Sequence, residues 1–211
     1  MNINIIKDEI IDIGKRLDGK NLTYGTSGNI SVKTNDGILI TTSGSALGDL
    51  THDEIVLIDN ELNEVESEKK ASSEKKLHAA IYKLRSDLNA IVHCHAPAVS
   101  SFAVARIDMD KACLAENVLY FGKIPVAKYA MPSSDLLVEY TASEFQNREV
   151  VLMANHGIIA ADSSLKHAYY KIDTAEAYAK VMLFSKILGK EYLLTDREVE
   201  DLNKLKALSK S

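Results

Sequence analysis

Tryptophan is absent from this chain of 211 residues, cysteine occurs twice and proline three times. Each scarcity excludes something. Cys94 and Cys113 are too few for a disulfide scaffold and fit a reducing compartment, so a cytoplasmic location is expected. The apolar runs are too short to span a bilayer. The N-terminal stretch MNINIIKDEI carries Asp8 and Glu9 where a signal peptide would be basic and then apolar, so no membrane association is expected. Positive charge is thin as well. The formal net charge is −5, and no basic cluster is denser than pairs such as Lys69-Lys70 and Lys75-Lys76. Binding to nucleic acid through phosphate neutralisation is therefore not expected. What is present, 46% hydrophobic and 26% charged residues, suffices for the core of one globular domain over residues 1–211.

Periodicity organises that domain. Ile5-Ile6, Ile10-Ile11, Ile13 and Leu17 recur at helical spacing and predict an amphipathic helix ending near Gly19. Asn35-Asp36-Gly37 is a hairpin signal between the strands ISV and GILIT. A further strand is expected over 54–58. Ser72-Ser73 should cap a helix that carries Glu74 in its first turn and continues through KKLHAAIYKLR. NAIVHCH reads as a buried strand and Pro97 as the start of a helix. Pro125 confines IPVA to an edge. Ser133 or Ser134 should cap a helix through Leu136, Leu137 and Tyr140. VVLMA and GIIA are strands around the turn Asn155-His156-Gly157. Ser163-Ser164 should cap a long helix to about Leu188, and a last helix is expected from about Asp196 to Leu208. Mixed strands and helices without repeats or a linker predict a single α/β domain.

The chemistry gathers at histidines. His93 and His95 flank Cys94 at the end of an apolar strand, so alternation points both to one face and Cys94 to the other. His156 ends a second apolar strand, and strand ends are where sites form in α/β sheets. Three histidines meeting with one carboxylate, for which Glu74 is the candidate, would make a tetrahedral N/O set suited to Zn²⁺, with Mn²⁺ or Co²⁺ as other options. Taken singly, each is better read as a hydrogen-bonded core histidine. His78, four residues after Glu74, is read as its i,i+4 hydrogen-bond partner. Three segments rich in small residues, Gly25 to Asn29, Thr42-Ser43-Gly44 and Ser72-Ser73, offer N–H groups and hydroxyls suited to a phosphate.

In one order, Thr26-x-Gly28-Asn29-Ile30-Ser31, Ile40-Thr41-x-Ser43-Gly44, Ser72-Ser73-Glu74-x3-His78, Val92-His93-x-His95 and Asn155-His156-Gly157 resemble the class II aldolase/adducin-head family over nearly the whole chain. Within the family, the L-fuculose-phosphate-cleaving branch is the most similar. The resemblance implies a three-layer α/β/α sandwich around a mixed, largely antiparallel sheet, assembled as a C4 homotetramer with sites at subunit interfaces. It implies Zn²⁺ on His93, His95 and His156, with Glu74 as a fourth ligand that also serves as acid/base. It places the substrate phosphate on Thr26, Gly28, Asn29, Ser43, Gly44, Ser72 and Ser73. The implied reaction is retro-aldol cleavage of a ketose 1-phosphate, such as L-fuculose 1-phosphate, to dihydroxyacetone phosphate and an aldehyde. A divalent metal stabilises the resulting negative charge as a Lewis acid.

Alternatives within the fold are a pentulose-5-phosphate 4-epimerase and an aldolase or dehydratase of a methylthio- or deoxy-ribulose 1-phosphate. An adducin-like binding head without metal is the alternative of another class. The chain departs from the branch at two tyrosines. One would fall near Leu114, and the other belongs to a C-terminal tail that here reads KLKALSKS. Tyr120 and Tyr129 are out of register and are read as core or rim residues. The proton donor to the aldehyde oxygen is therefore left unassigned.

Overall fold

The computed structural model describes residues 2–208. Its eight strands form one sheet in the order β4-β3-β2-β1-β5-β8-β7-β6. The strands are β1 (Asn29–Thr34), β2 (Gly37–Thr41), β3 (Ile55–Ile58), β4 (Glu64–Val65), β5 (Ala90–Cys94), β6 (Val126–Ala127), β7 (Val150–Met153) and β8 (Gly157–Asp162). Neighbours run antiparallel, except the pair β6 and β7, which is parallel. The helices are α1 (Ile3–Gly19), α2 (Lys75–Leu84), α3 (Pro97–Ala105), α4 (Ala115–Tyr120), α5 (Asp135–Glu144), α6 (Leu165–Leu188) and α7 (Asp196–Leu208). Among the described residues, no helix is long and apolar enough to cross a membrane.

The central strands are apolar on both faces because both are covered. Val92 and Cys94 of β5, Val150 and Leu152 of β7, and Ile158 and Ala160 of β8 pack with α1, α3 and α6. Their neighbours Ile91, Val151, Met153, Ile159 and Ala161 pack with α2 and α5. The sheet is thus the middle layer of an α/β/α sandwich. In α1, Ile6, Ile10, Ile13 and Leu17 are all buried, each worth about 1.5–3 kcal/mol when fully removed from water. Ser134 and Ser164 cap α5 and α6 through bonds from Leu137 N and His167 N. The Asn35-Asp36 hairpin, the edge strand after Pro125 and the ends of α6 agree with the sequence reading.

Three features depart from it. Glu74 occupies the N-cap position of α2 rather than its first turn, and no side chain caps this helix. The Ser72 hydroxyl instead accepts the Glu74 N–H at 3.3 Å, so the chain turns before Glu74 and aims that carboxylate inward. Helix α4 and strand β4 were not foreseen; at six and two residues they are too short to show a period. His95 lies just beyond the end of β5.

Candidate metal centre

His93 belongs to β5, and the α2 layer covers its face of the sheet. Its Nδ1 is fixed by the Ile158 carbonyl of β8 at 2.9 Å, which leaves Nε2 to point into the site. His95 follows one alternation later. His156 comes from the turn between β7 and β8, where its N–H bonds the Met153 carbonyl at 3.0 Å. One ligand atom from each of the three imidazoles lies within 4.8 Å of the others, and the ring centroids are 4.8–5.0 Å apart. Glu74 closes the set, with Oε2 at 3.3 Å from His93 Nε2 and Oε1 at 3.6 Å from His156 Nε2.

The fit to a cation is electrostatic as well as geometric. The Nε2 atoms of His93 and His95 face each other at 3.2 Å, where two neutral lone pairs would repel unless a proton or cation stood beside them. Burial, reinforced by His93 and His156, lowers the pKa of His95 to about 3. Burial and His93 lower that of His156 to about 4. Both are therefore neutral, ligating imidazoles near pH 7. Burial opposes ionisation of Glu74, but His93, His156 and the Asn29 amide outweigh it and bring the carboxyl down to about 2. Its Oε1 is buried without a hydrogen-bond partner. Imidazole nitrogens with one ionised carboxylate are a donor set for a divalent ion. Cys94 is buried on the other face, its thiol pushed up to about 12 by desolvation, and takes no part.

Two glycines let the backbones close around this set. A Cβ on Gly157 would stand 2.4 Å from the Cys94 carbonyl oxygen and 2.7 Å from the His95 ring. Gly28, at φ +85°, would place one 2.6 Å from the His93 carbonyl oxygen. Neither position admits a side chain without displacing β5.

The small-residue segments converge beside the histidines. Ser43 N–H bonds the Lys70 carbonyl at 2.9 Å and Ser72 N–H bonds the Thr41 carbonyl at 3.0 Å, so the second and third segments are stitched together. The first is joined to them by the Asn29 amide, which donates to Glu74 Oε2 at 2.8 Å. Thr26, Ser43, Gly44 and Ser73 are exposed, Gly28 is half-buried, and Asn29 and Ser72 are buried. Ser73 stands at the start of α2, where the helix dipole favours an anion. Asn29 differs from the other six in this structure, since its amide is engaged with the carboxylate.

Sequence reading missed several neighbours of the site. His78 does not bond the Glu74 side chain; its Nδ1 pairs with Ser31 Oγ at 2.7 Å. Spacing within one helix could not reveal a partner on another element. Arg106 and Asn155, both in left-handed backbone at φ 57° and 56°, are joined by a 2.6 Å bond from Nη2 to Oδ1. That bond pins the turn bearing His156. Tyr24 sets its exposed ring 6.0 Å from that of His95. Leu114 is the N-cap of α4, and Tyr120 and Tyr129 are exposed.

Residues 8–183 match the Class II Aldolase and Adducin N-terminal domain. The chain belongs to this family. It is 34% identical over 185 residues to L-fuculose phosphate aldolase of Methanocaldococcus jannaschii, covering 87% of this chain and 99% of that protein. It is 31% identical over 202 residues to 3-oxo-tetronate 4-phosphate decarboxylase of Haemophilus influenzae, covering 93% and 95%. The solved structure of an L-fuculose 1-phosphate aldolase superposes with a TM-score of 0.87 at 33% identity, over 95% of each chain. Class II aldolases are metal-dependent lyases, and in this member the imidazole cluster is the group that could hold the metal.

Proposed function

We propose that this class II aldolase cleaves a ketose 1-phosphate, of which L-fuculose 1-phosphate is one candidate, into dihydroxyacetone phosphate and an aldehyde. The carrying observation is the convergence of His93, His95, His156 and Glu74 beside three small-residue segments. The imidazoles and Glu74 would hold one Zn²⁺ per chain. Bound there, the ion supplies Lewis-acid stabilisation of the charge that develops on the substrate oxygens. Thr26, Gly28, Asn29, Ser43, Gly44, Ser72 and Ser73 would bind the phosphate and so fix the reacting carbons. Glu74, buried beside the imidazoles, moves the proton to and from the carbon left by cleavage. Asn29 orients that carboxylate through its amide. The complete donor set also weighs against a binding head of the adducin kind.

Two further features support the setting. Both cysteines are free thiols, in keeping with the cytoplasm. Phe184, Ile187, Leu188 and Tyr192 stand 61–87% exposed at the end of α6 and just beyond it, an apolar stretch that assembly into a C4 tetramer would cover.

The Haemophilus relative gives a second reading its specific support, because losing carbon dioxide beside a carbonyl also breaks a carbon–carbon bond and leaves an enolate-type anion. A panel of ketose 1-phosphates, pentulose 5-phosphates and 3-oxo acid phosphates separates the cases. Release of dihydroxyacetone phosphate from a ketose 1-phosphate is the expected result. Carbon dioxide release alone, or epimerisation without release, would reject the aldolase assignment. Elemental analysis of protein purified without added metal is expected to give about one Zn²⁺ per chain.

A further inference from the structure

Beneath Glu74, the buried face of α2 carries a polar line beside its apolar Leu77 and Ile81. Glu74, His78 and Tyr82 recur at four-residue intervals, so they stack on one side of the helix. The facing strand β1 answers them, since Asn29 bonds Glu74 at 2.8 Å and Ser31 Oγ bonds both His78 Nδ1 at 2.7 Å and Tyr82 Oη at 2.8 Å. Tyr82 Oη also donates to the Ser31 carbonyl at 3.0 Å. Two atoms in this ladder are left over. Glu74 Oε1 and His78 Nε2 are both buried with no hydrogen-bond partner, an arrangement that is costly for each group left unsatisfied.

One hydrogen bond would satisfy both. Helical side chains lean toward the N-terminus, so the His78 ring lies over the turn that begins at Glu74. With the Tyr82 proton shared between the Ser31 carbonyl and Ser31 Oγ, the Ser31 hydroxyl proton is available to His78 Nδ1. The imidazole proton then sits on Nε2, the nitrogen without a partner. The charge of Glu74 is felt at His78, where burial nonetheless keeps the ring neutral.

We propose that His78 Nε2–H is a second seat for the Glu74 carboxylate, occupied when the carboxylate turns away from the three imidazoles to make room for substrate. His78 is then a positioning residue. It never touches substrate; it stabilises the displaced state of Glu74, and Ser31 sets the tautomer that makes this possible. The inference rests on the reading of Glu74 as the proton-moving group beside the metal.

The test compares two amides in the zinc-loaded protein. His78→Gln places a donor near the Nε2 position, whereas His78→Asn places one near Nδ1 and keeps only the Ser31 bond. Dihydroxyacetone phosphate is titrated calorimetrically into each, and zinc affinity is measured separately by chelator competition. The expected result is roughly 10-fold weaker dihydroxyacetone phosphate binding for His78→Asn, near-normal binding for His78→Gln, and unchanged zinc affinity in both. Ser31→Ala, the milder probe should the histidine variants not fold, is expected to weaken binding about 3-fold or more, again with zinc affinity unchanged. Equal behaviour of the two amides, the reverse order, or an unaffected Ser31→Ala would overturn the second seat. If the wild-type protein itself bound neither zinc nor dihydroxyacetone phosphate, the metal reading would fall, and this inference with it.

Discussion

The two faces of the sheet are built on different terms. Behind β5, α1, α3 and α6 bury one continuous apolar cluster. Its buried carboxylate, Glu176, has both oxygens engaged by the Ala98 and Val99 N–H groups at the start of α3, at 3.1 and 2.9 Å. In front, α2 turns Glu74, His78 and Tyr82 toward the sheet, and several polar atoms there are buried without partners. The back face pairs its buried carboxylate fully and contributes stability, although Ser100 Oγ and Tyr169 Oη there are also buried without partners. The other is left incomplete at the positions where a ligand would complete it.

That contrast can be broken from the front first. His93→Ala removes the proposed ligand that the Ile158 carbonyl fixes and is expected to abolish zinc binding and reduce cleavage to background. Zinc per chain and dihydroxyacetone phosphate release measure it. Loss of activity with full zinc occupancy would contradict the assignment.

Acid should come next. His78, His95 and His156 have folded pKa values lowered to about 3, 3 and 4, so below the unfolded value of about 6.5 the unfolded chain takes protons that the folded one refuses. Their contribution is fully present above pH 6.5. It falls as pH drops through the window down to the folded values, by at most about 1.4 kcal/mol per pH unit for each histidine. Glu74, depressed to about 2, adds a loss in the same direction once pH passes below its unfolded value. Urea midpoints of metal-free protein between pH 7 and 5 test this, and a flat profile would mean that the histidines titrate normally.

The back face should respond in stability alone. Ile172→Ala is expected to cost about 2–5 kcal/mol in urea unfolding while zinc per chain stays at the wild-type value. Glu176→Ala should be the smallest change, about 1–2 kcal/mol, because it removes the partner of two N–H groups at the start of α3. A drop in zinc content with either variant would show that the two faces are less separable than the packing indicates.

Legibility followed the same division. The back face announced itself, since α1 carries apolar residues at helical spacing, of which Ile6, Ile10, Ile13 and Leu17 are buried, and α6 has its Ser164 cap. The three histidines were readable because alternation and strand ends are local properties. What the sequence hid were partnerships across elements. Asn29 with Glu74, Ser31 with His78 and Arg106 with Asn155 each join residues that no periodicity relates. The stripe Glu74, His78 and Tyr82 was present in the sequence as a polar line on a core face. It went unread as a unit because His78 was assigned to its own helix. Helix α4 and strand β4 were invisible for want of length.

Gly28 and Gly157 carry a consequence for how such a protein can diverge. With His93, His95 and the β5 backbone pressed against positions that admit no Cβ, the floor of the site has almost no room for inherited variation. Exposed Tyr24, beside the His95 ring, faces no such restriction. New substrate preferences in descendants of this chain should therefore accumulate around the mouth, while the floor passes from one lineage to the next unchanged.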